Sequence, residues 1–307
     1  MPLIVTGSIG IDTVETPFEK RERVLGGSCS YFSAAASFFT DVRMVAVAGE
    51  DFHDDFHNIL KGFDRIDVAG LEIRKGSKTF AWGGKYFDDW NQRETIFTEL
   101  GVLAEHPPKA PDAFSDSKFV FLANTHPTVQ HEMLHAFPDR VFSVADTMNL
   151  WIDTARPELE KLMQDIDGLI INDEEAQMLT GRRHIVAAGK QIIETMGPMF
   201  VVIKKGEHGC VLVHDEGVAM LPAYPVENVV DPTGAGDSFA GGMMGFLAAT
   251  HSKDLDVSLS SIRQALAHGT VIASFAIESF SLDRLAGLTN EEVAKRYTDF
   301  QEMVAVR

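Results

Sequence analysis

Short apolar segments alternate with longer amphipathic segments along most of the chain. Many of the short ones are apolar throughout, which is typical of parallel strands covered on both faces. The predicted strands are Leu3–Thr6, Val42–Ala48, Lys118–Ala123, Val141–Ala145, Gly168–Asn172 and Met199–Lys204. The predicted helices between them are Ser28–Phe39, Phe52–Phe63, Val129–Phe137, Ala155–Asp165 and His184–Met196. This alternation predicts an α/β fold around a mainly parallel sheet with right-handed crossovers.

The C-terminal third of the chain departs from this alternation. Cys210–His214 and Val218–Leu221 flank a short polar turn and are predicted to form an antiparallel hairpin on the sheet. Three closing helices are predicted over Ala235–Thr250, Leu259–Ser274 and Asn290–Met303. No linker or repeat divides the sequence, so residues 1–307 are predicted to form a single domain.

Two further segments carry strand-forming residues with no helix to cover them. They are Ile11–Leu25 and Lys78–Thr98, and the turn Asp88–Gln92 divides the second into two strands. We expect a small antiparallel sheet inserted at about 11–25 and 78–98. A sheet exposed on both sides is marginal alone, so it is expected to act as a lid over a ligand or as the seam of a homodimer.

Charge and cysteine content narrow the classes of function. The chain of 307 residues has 45 acidic and 27 basic side chains and a formal net charge of −18. This balance argues against a nucleic-acid partner, which requires a basic face. No apolar segment approaches the ~18 residues of a membrane span. Cys29 and Cys210 form no C-x-x-C pair, so we expect buried thiols and a reducing cytoplasmic location.

A glycine-rich turn opens directly into the first closing helix, in the segment Asp231-Pro-Thr-Gly-Ala-Gly-Asp237. The backbone N–H groups of Gly234, Ala235, Gly236 and Asp237 are expected to bind an anion at the helix N-terminus. Asp237 is a candidate general base, and it could equally serve only as a helix cap. The sequence has neither a Walker-type loop nor G-x-G-x-x-G, since Phe239 stands at the third glycine position, which argues against a dinucleotide-dependent oxidoreductase.

This segment resembles the C-terminal signature D-T/P-T-G-A-G-D of the PfkB family, the ribokinase-like sugar and nucleoside kinases. Further matches follow in the family's order over essentially the whole chain. They are Asp12, the glycine pair Gly26–Gly27, Gly49–Phe52, Asn172–Glu175 as N-x-x-E, and Lys204–Gly209 as T/K-x-G-x-x-G. Two positions depart from the pattern. Tyr31 replaces an asparagine common in the family, and residues 274–280 lack V-T-R-x-G-A.

The resemblance implies a ribokinase-like three-layer sandwich with a β lid, and ATP and Mg²⁺ as cofactors. It makes Asp237 the general base and Gly234–Gly236 the anion hole. The other roles it implies are substrate binding by Asp12, Gly26 and Gly27; nucleotide binding by Asn172, Lys205, Gly206, Gly209 and His268; water-mediated Mg²⁺ binding by Glu175; and a monovalent cation, K⁺, at Asp231.

Several side chains have both a functional and a structural interpretation. Asn91 and Arg93 could reach the substrate from the lid, or Arg93 could be a solvated charge. Asn124–His126 and Asp146–Asn149 end predicted strands, where ligands bind in parallel sheets, or cap loops. The lid aromatics Trp82, Tyr86, Phe87 and Trp90 could stack on a base or sugar, or form the underside of the lid. His53 and His57 have the spacing of a metal pair, although an exposed helix start explains them better.

These observations predict a kinase that transfers the γ-phosphate of ATP to a sugar hydroxyl. The alternative is a nucleoside kinase on the same scaffold, which the lid aromatics slightly favour. A ligand sensor without catalysis is a further alternative, and the intact Asp237 and Glu175 argue against it.

Overall fold

The structure is a computed structural model that describes residues 1–250 and 255–305. Its strands are β1 (Leu3–Thr6), β2 (Gly10–Glu15), β3 (Lys20–Gly26), β4 (Val42–Gly49), β5 (Ile66–Arg74), β6 (Phe80–Tyr86), β7 (Arg93–Glu99), β8 (Phe119–Leu122), β9 (Phe142–Asp146), β10 (Gly168–Asn172), β11 (Phe200–Lys204), β12 (Cys210–His214) and β13 (Gly217–Leu221). Its helices are α1 (Ser28–Ala36), α2 (Asp54–Lys61), α3 (Pro127–His135), α4 (Asn149–Thr154), α5 (Arg156–Met163), α6 (Asp173–Thr180), α7 (Ile185–Met196), α8 (Ala235–Thr250), α9 (Leu259–Ala276), α10 (Asp283–Ala286) and α11 (Asn290–Val304).

The main sheet runs in the order β13-β12-β11-β10-β9-β8-β1-β4-β5. Every neighbouring pair from β5 to β11 is parallel, and β12 and β13 add an antiparallel hairpin at one edge. The predicted parallel α/β sheet, the hairpin and the three closing helices are therefore confirmed.

Helices cover both faces of the sheet because its central strands are apolar on both sides. In β1, Leu3 and Val5 pack with α1, α8 and α9, while Ile4 points to the other face and packs with α3 and α5. This period of two is the signature of a strand, and full burial on both faces explains why β1 is apolar throughout. The result is the predicted three-layer arrangement.

Strand β5 was not predicted. It pairs with β4 at the sheet edge, and polar residues are distributed irregularly along it because much of one face meets water. Helices α4 and α6 were also not predicted as separate elements. Both are short, and their sequences begin with polar residues typical of loops.

The small sheet has the order β3-β2-β6-β7 and lies outside the α/β alternation, as expected. Its two hairpin-like pairs, β2 with β3 and β6 with β7, are antiparallel. Their junction differs from the expectation, because β2 and β6 pair in parallel. The chain passes through the main sheet between these two strands, so both can enter the small sheet in the same direction.

Among the described residues, no helix is long and apolar enough to cross a bilayer. Cys29 and Cys210 are buried free thiols, as expected. Burial raises the pKa of both thiols, that of Cys210 to about 12, so neither is a reactive thiolate.

Glycines allow α8 to lie directly against α1. A Cβ on Gly241 would come within 2.4 Å of the Phe32 carbonyl oxygen, and one on Gly245 within 2.8 Å of the Ala36 carbonyl oxygen. These are backbone contacts, so a side chain at either glycine forces the helices apart. The close approach fixes the axis of α8 and therefore where its N-terminus points.

We expect Gly241→Ala to lower the free energy of unfolding by about 1–3 kcal/mol through overpacking. Helix propensity alone acts the other way, favouring alanine by about 1 kcal/mol. Urea denaturation therefore distinguishes the two effects by sign. Gly287→Ala is the matched control, because a Cβ there meets only the Asp283 carbonyl oxygen at 3.9 Å. A more stable Gly241→Ala protein would contradict the tight α1–α8 contact.

Candidate active site

Polar side chains gather where the parallel strands of the main sheet end. Asp146, Asn172 and Lys204 are the last residues of the neighbouring strands β9, β10 and β11. Asn172 lies directly beside Lys204 in the strand register. Because the carboxyl ends of parallel strands share one edge, these polar groups lie together, and the region between them and the small sheet is called the cleft below. The start of α8 lies beside it, since Lys204 reaches Gly236.

The N-terminus of α8 forms the predicted anion loop. Gly234 has a φ of 74°, and a Cβ there would lie 2.3 Å from the Tyr31 ring, so only glycine fits. The N–H groups of Gly236 and Asp237 lie in the first turn and have no acceptor within the helix. The Ala235 N–H instead donates to the Pro232 carbonyl at 3.2 Å, so it contributes less to an anion site than expected.

Lys204 brings a positive charge to this loop. Its Nζ lies 2.7 Å from where a Cβ on Gly236 would stand, so the glycine makes room for the ammonium group. The resemblance includes Lys204 as the first residue of T/K-x-G-x-x-G, but it assigns nucleotide binding to the following residue, Lys205, and gives Lys204 no role. Its position as the last residue of a predicted strand was the available signal.

Burial and two nearby cations shift the pKa of Asp237 in opposite directions. Burial raises its pKa to about 6, while Lys204 and Arg93 lower it. Asp146 is buried nearby, and its pKa is raised well above the usual range by burial and by the charge of Asp237. The Asp146 Oδ1 atom has no hydrogen-bond partner. Asp237 is thus ionised at neutral pH and able to accept a proton.

Asn172 and Glu175 form a capping box at the start of α6. The Asn172 Oδ1 accepts the Glu175 N–H at 2.7 Å, and the Glu175 Oε2 accepts the Asn172 N–H at 2.8 Å. This reciprocal cap fixes both side chains. Burial raises the pKa of Glu175 and the Lys204 charge lowers it, so the carboxyl lies within reach of the same cation as Asp237. Glu175 therefore both caps α6 and lies beside Lys204 in the cleft.

These carboxyl groups fit a magnesium ion. Mg²⁺ prefers carboxylate oxygens and keeps several waters. Asp146 offers a buried oxygen without a partner, and Glu175 and Asp237 share the influence of Lys204. The donor set is hard and anionic, as that ion requires.

Asp12 lies near the anion loop, within the electrostatic influence of Asp231 and Asp237, and is almost fully buried. A Cβ on Gly26 would overlap the Asp12 Oδ2 at 1.9 Å, which explains the first glycine of the pair. Gly27 has a φ of 90°, which favours glycine there. The Asp12 Oδ1 has no hydrogen-bond partner. Burial and the charges of Asp231 and Asp237 raise the Asp12 pKa to about 8.

Asp231 is fully buried at the base of the loop. Its Oδ1 accepts the Thr233 N–H at 2.8 Å, and its Oδ2 has no partner. Burial raises its pKa to about 6, against the Thr233 hydrogen bonds that lower it. The unpartnered oxygen fits a cation or a polar hydrogen supplied from outside the chain.

The small sheet presents a consistent face to the cleft. In the strand register Asp12 pairs with Trp82, and Tyr86 pairs with Arg93, so these side chains share one face. The Trp82 ring lies over Gly84, where a Cβ would be 1.9 Å from it. The Arg93 guanidinium is 5.3 Å from the Trp82 ring centre.

Among the contacts that join the small sheet to the main domain are two hydrogen bonds between side chains near the anion loop and the glycine turn after β11. The Thr233 hydroxyl donates to the Tyr86 oxygen at 3.2 Å, and the Asn91 amide donates to the Glu207 carboxylate at 3.3 Å. Val14, Tyr86, Trp82 and Trp90 form a small apolar cluster with Phe280 and Val230. Trp82 and Trp90 are partly buried against this cluster, which leaves part of each ring free for a ligand, whereas Phe87 is exposed.

Asn91 lies against the glycine turn after β11, and its contact with substrate stays a prediction. Its Oδ1 is 2.1 Å from where a Cβ on Gly206 would stand, and Gly206 and Gly209 have φ values of 54° and 82°. The turn has the tight backbone expected for a nucleotide-side loop. Lys205 closes it by donating its N–H to the Gly209 carbonyl at 2.8 Å.

Asn124 and His268 have packing partners. The Asn124 Oδ1 accepts the Trp151 indole N–H at 2.9 Å at the end of β8. The His268 ring is stacked between Phe246 and Tyr297, with ring centres 3.9 and 3.8 Å away, and burial lowers its pKa to about 4. Phe246 lies 11 residues into α8, about 16 Å from its N-terminus. His268 therefore lies away from the anion loop, and its contact with the nucleotide stays a prediction.

Comparison with known proteins identifies related sequences. The family model described as pfkB family carbohydrate kinase matches residues 13–285. The cytidine kinase of Thermococcus kodakarensis is 29% identical over 252 residues, covering 80% of this chain and 87% of that protein.

Solved structures share the fold at lower identity. The nucleoside kinase of Burkholderia thailandensis in complex with inosine superposes with a TM-score of 0.76 at 18% identity, covering 97% of this chain and 98% of that one. The ribokinase of Thermotoga maritima superposes with a TM-score of 0.72 at 22% identity, covering 96% and 99% of the two chains.

The raised pKa of Asp12 leads to a stability prediction. The folded state favours the protonated carboxyl, so this group lowers the free energy of unfolding progressively from about pH 4 to about pH 8. The loss is at most about 1.4 kcal/mol per pH unit. Asp12→Asn keeps the shape without the charge, so it is expected to be more stable than wild type at pH 8 and equally stable at pH 4.

Denaturant titrations at a series of pH values test this expectation. Asp64→Asn, at an exposed carboxyl, is the control and should follow the wild-type curve throughout. If the free energy of unfolding of Asp12→Asn varies with pH from 4 to 8 as that of wild type does, the pKa of the Asp12 carboxyl is not raised in the folded protein.

Proposed function

The chain belongs to the pfkB family of carbohydrate kinases, and on that premise we propose that it transfers the γ-phosphate of ATP to a sugar hydroxyl of a nucleoside. Phosphotransfer to a hydroxyl acceptor is the activity of the family. The acceptor is the finer part of the proposal. It rests on one observation, the placement of the Trp82 ring beside Asp12 on the face of the lid that covers the cleft.

Asp12 is proposed to bind the acceptor's hydroxyl groups. A buried carboxyl oxygen without a partner is costly unless a donor arrives, and sugar hydroxyls supply such donors. Gly26 and Gly27 leave no side chain between this carboxyl and the cleft. Hydrogen bonds from the hydroxyls favour the ionised form, so substrate binding is expected to lower the Asp12 pKa.

Asp237 is proposed to be the general base. Its pKa of about 6 leaves it ionised at neutral pH yet close enough to the operating range to hold a proton. The Gly236 and Asp237 N–H groups, with the adjacent Lys204 ammonium, would stabilise the charge on the transferring phosphoryl oxygens. Arg93 would add a second cation from the lid, in line with its influence on Asp237.

ATP is proposed to lie along the Lys205–Gly209 turn, with its γ-phosphate facing Gly234–Asp237. Asn172 would face the phosphates from the capped start of α6. Glu175 and Asp146 would hold Mg²⁺ through water, and the ion would neutralise the charge of the phosphates. Asp231 Oδ2 is proposed to face K⁺. Closure of the lid would exclude water, which would otherwise hydrolyse ATP.

Trp82 favours a nucleoside over a free sugar. Trp82 and Asp12 are register partners on adjacent strands, which are about 5 Å apart. A ribose bound at Asp12 would therefore place its base against the indole, with Arg93 alongside. The curated cytidine kinase and the structure with inosine agree with this choice, whereas the sugar kinase predicted first requires no such platform.

A free sugar remains the second candidate for one reason. Tyr31 lies directly under the anion loop and its buried hydroxyl has no partner. That hydroxyl is available to a compact polyol seated deep in the cleft. A homodimer through the lid stays a prediction.

Asp237→Asn is expected to lower kcat by about 10²-fold or more while binding ATP and folding normally. Asparagine caps a helix nearly as well as aspartate, so a capping role alone predicts little change in kcat. Steady-state turnover and thermal unfolding separate the two roles. An Asn variant with wild-type kcat would refute the general base.

The pH profile of kcat/KM gives a second measurement on the wild-type enzyme. Activity is expected to rise with pH through about 6 as Asp237 ionises. A profile that is flat from pH 5 to pH 7 would contradict this assignment.

Trp82→Leu is expected to weaken nucleoside binding by about 5–150-fold, which corresponds to about 1–3 kcal/mol of base stacking. The Kd of free ribose should be unchanged, because the sugar does not contact the indole. Calorimetry with cytidine, inosine, adenosine and free sugars measures both. Phe97→Leu is the matched control, since Phe97 lies over Gly83 on the opposite face of the same sheet.

The panel distinguishes the two candidate acceptors. If wild type binds free sugars and no nucleoside, the nucleoside proposal is wrong and the kinase assignment stands. If Trp82→Leu and Phe97→Leu have equal effects, Trp82 does not contact the base.

A further inference from the structure

Two histidines and a carboxylate converge far from the cleft. His131 and His135 lie one turn apart on α3, and Asp165 lies in the connection from α5 to β10. The His131 Nε2 is 2.7 Å from the Asp165 Oδ2 and 3.2 Å from the His135 Nε2, and the His135 Nε2 is 4.0 Å from that Oδ2. Asp165 precedes β10, so the group lies at the amino-terminal edge of the sheet, opposite the cleft.

Hydrogen bonds among the three side chains cannot account for both short distances at the His131 Nε2 atom. The His131 Nε2 carries either a proton or a lone pair. If it donates a proton to Asp165, it has no lone pair for an N–H from His135. If it accepts from His135, two lone pairs face each other across the 2.7 Å contact. One N–H cannot point at both neighbours, because they are 4.0 Å apart.

A metal ion satisfies all three atoms at once. In a tetrahedral zinc site with bonds of about 2.0–2.1 Å, neighbouring ligand atoms lie about 3.3 Å apart. The three separations, 2.7, 3.2 and 4.0 Å, bracket that value. Each atom can offer a lone pair to a common centre, and the exposed sides of His135 and Asp165 leave a position for water.

The scaffold positions the backbone that carries the three ligands before any ion binds. The Arg140 guanidinium donates to the Asp165 carbonyl and to the Leu134 carbonyl, each at 3.3 Å, which ties the end of α3 to the Asp165 connection. Beneath the ligands, Leu134 and Leu162 belong to one buried cluster. The His131 side chain is 14% exposed, so its ring has little freedom to turn away.

We propose that His131, His135 and Asp165 form a structural site for a divalent transition metal, Zn²⁺ above all. Two imidazoles and one carboxylate suit zinc, copper or nickel and do not suit magnesium. The bound ion would link α3 to the α5–β10 connection and stabilise the folded chain. In the described part of the chain, no second group of three such ligand atoms converges in this way.

His53 and His57 provide an internal control. They have the same spacing of four residues at the start of α2. The His53 Nε2 instead lies 3.4 Å from an Arg23 guanidinium nitrogen, and that positive charge opposes a cation. Spacing is thus equal in the two pairs, and they differ in the charged group that meets them, a carboxylate at His131 and a guanidinium at His53.

Zinc titration of the metal-free protein by calorimetry, without nucleotide, tests the site. Wild type is expected to bind one equivalent that the His131→Gln/His135→Gln double variant loses or binds at least about tenfold more weakly. The His53→Gln/His57→Gln variant should bind it as wild type does. Zinc should raise the Tm of wild type and of this control, and should not raise the Tm of the first variant.

A second variant, Asp165→Asn, and the absorption spectrum of bound Co²⁺ test the same site if the double variant folds poorly. Asp165→Asn preserves the shape and should also weaken zinc binding. Co²⁺ in wild type should show the intense visible absorption of a tetrahedral site, and it should be lost in Asp165→Asn. Wild-type zinc affinity in either variant, or no wild-type binding below about 1 mM, would overturn the proposal.

Discussion

Negative charge without sufficient compensation controls the chemistry of the cleft. Asp146, Glu175 and Asp237 gather at one end, and the cations that influence them are Lys204 and Arg93. Asp12 and Asp231 add two buried carboxyl groups whose pKa values burial raises to about 8 and about 6. A site with this many carboxyl groups is expected to bind metal cations and hydroxyl donors, which compensate the negative charge. Magnesium bound to ATP would supply the cation, and a polyhydroxyl acceptor would supply the hydroxyl donors.

Backbone N–H groups are what would allow so acidic a site to accept a phosphate. They carry partial positive charge without adding a side chain, and the start of α8 presents them to the cleft. That orientation depends on the packing of Gly241 and Gly245 against α1. Gly236 then leaves room for Lys204. The glycines of α8 therefore determine both the direction of the helix and the charge at its end.

Local features of the site could be predicted from sequence, and convergent ones could not. Asp237, Gly234 and Gly236 stand in one short segment whose spacing specifies a turn and a helix start. Trp82 and Asp12 are 70 residues apart, and only the parallel pairing of β2 with β6, which differs from the expected antiparallel sheet, makes them neighbours. Lys204 was placed correctly at the end of a strand. That its ammonium group reaches the start of α8 could not be predicted, because it depends on the space left by glycine at position 236.

The histidine pairs show the same limit. Spacing drew attention to His53 and His57, whereas the pair that meets a carboxylate is His131 and His135. Asp165 joins them through the packing of α5 on α3, which no local pattern encodes. The wider fold was predictable because apolar runs report burial directly. The edge strand β5 was missed because it is half exposed.

The contacts that hold the lid over the cleft are few enough to be reversible. Two side-chain hydrogen bonds, Thr233 to Tyr86 and Asn91 to Glu207, contribute about 1 kcal/mol each. The apolar cluster around Tyr86 is small beside the two cores of the main domain. If opening breaks only these contacts, we expect it to cost a few kcal/mol, which is comparable to what one bound substrate contributes. Both hydrogen bonds reach loops proposed to hold ATP, so nucleotide binding and lid closure are expected to depend on each other.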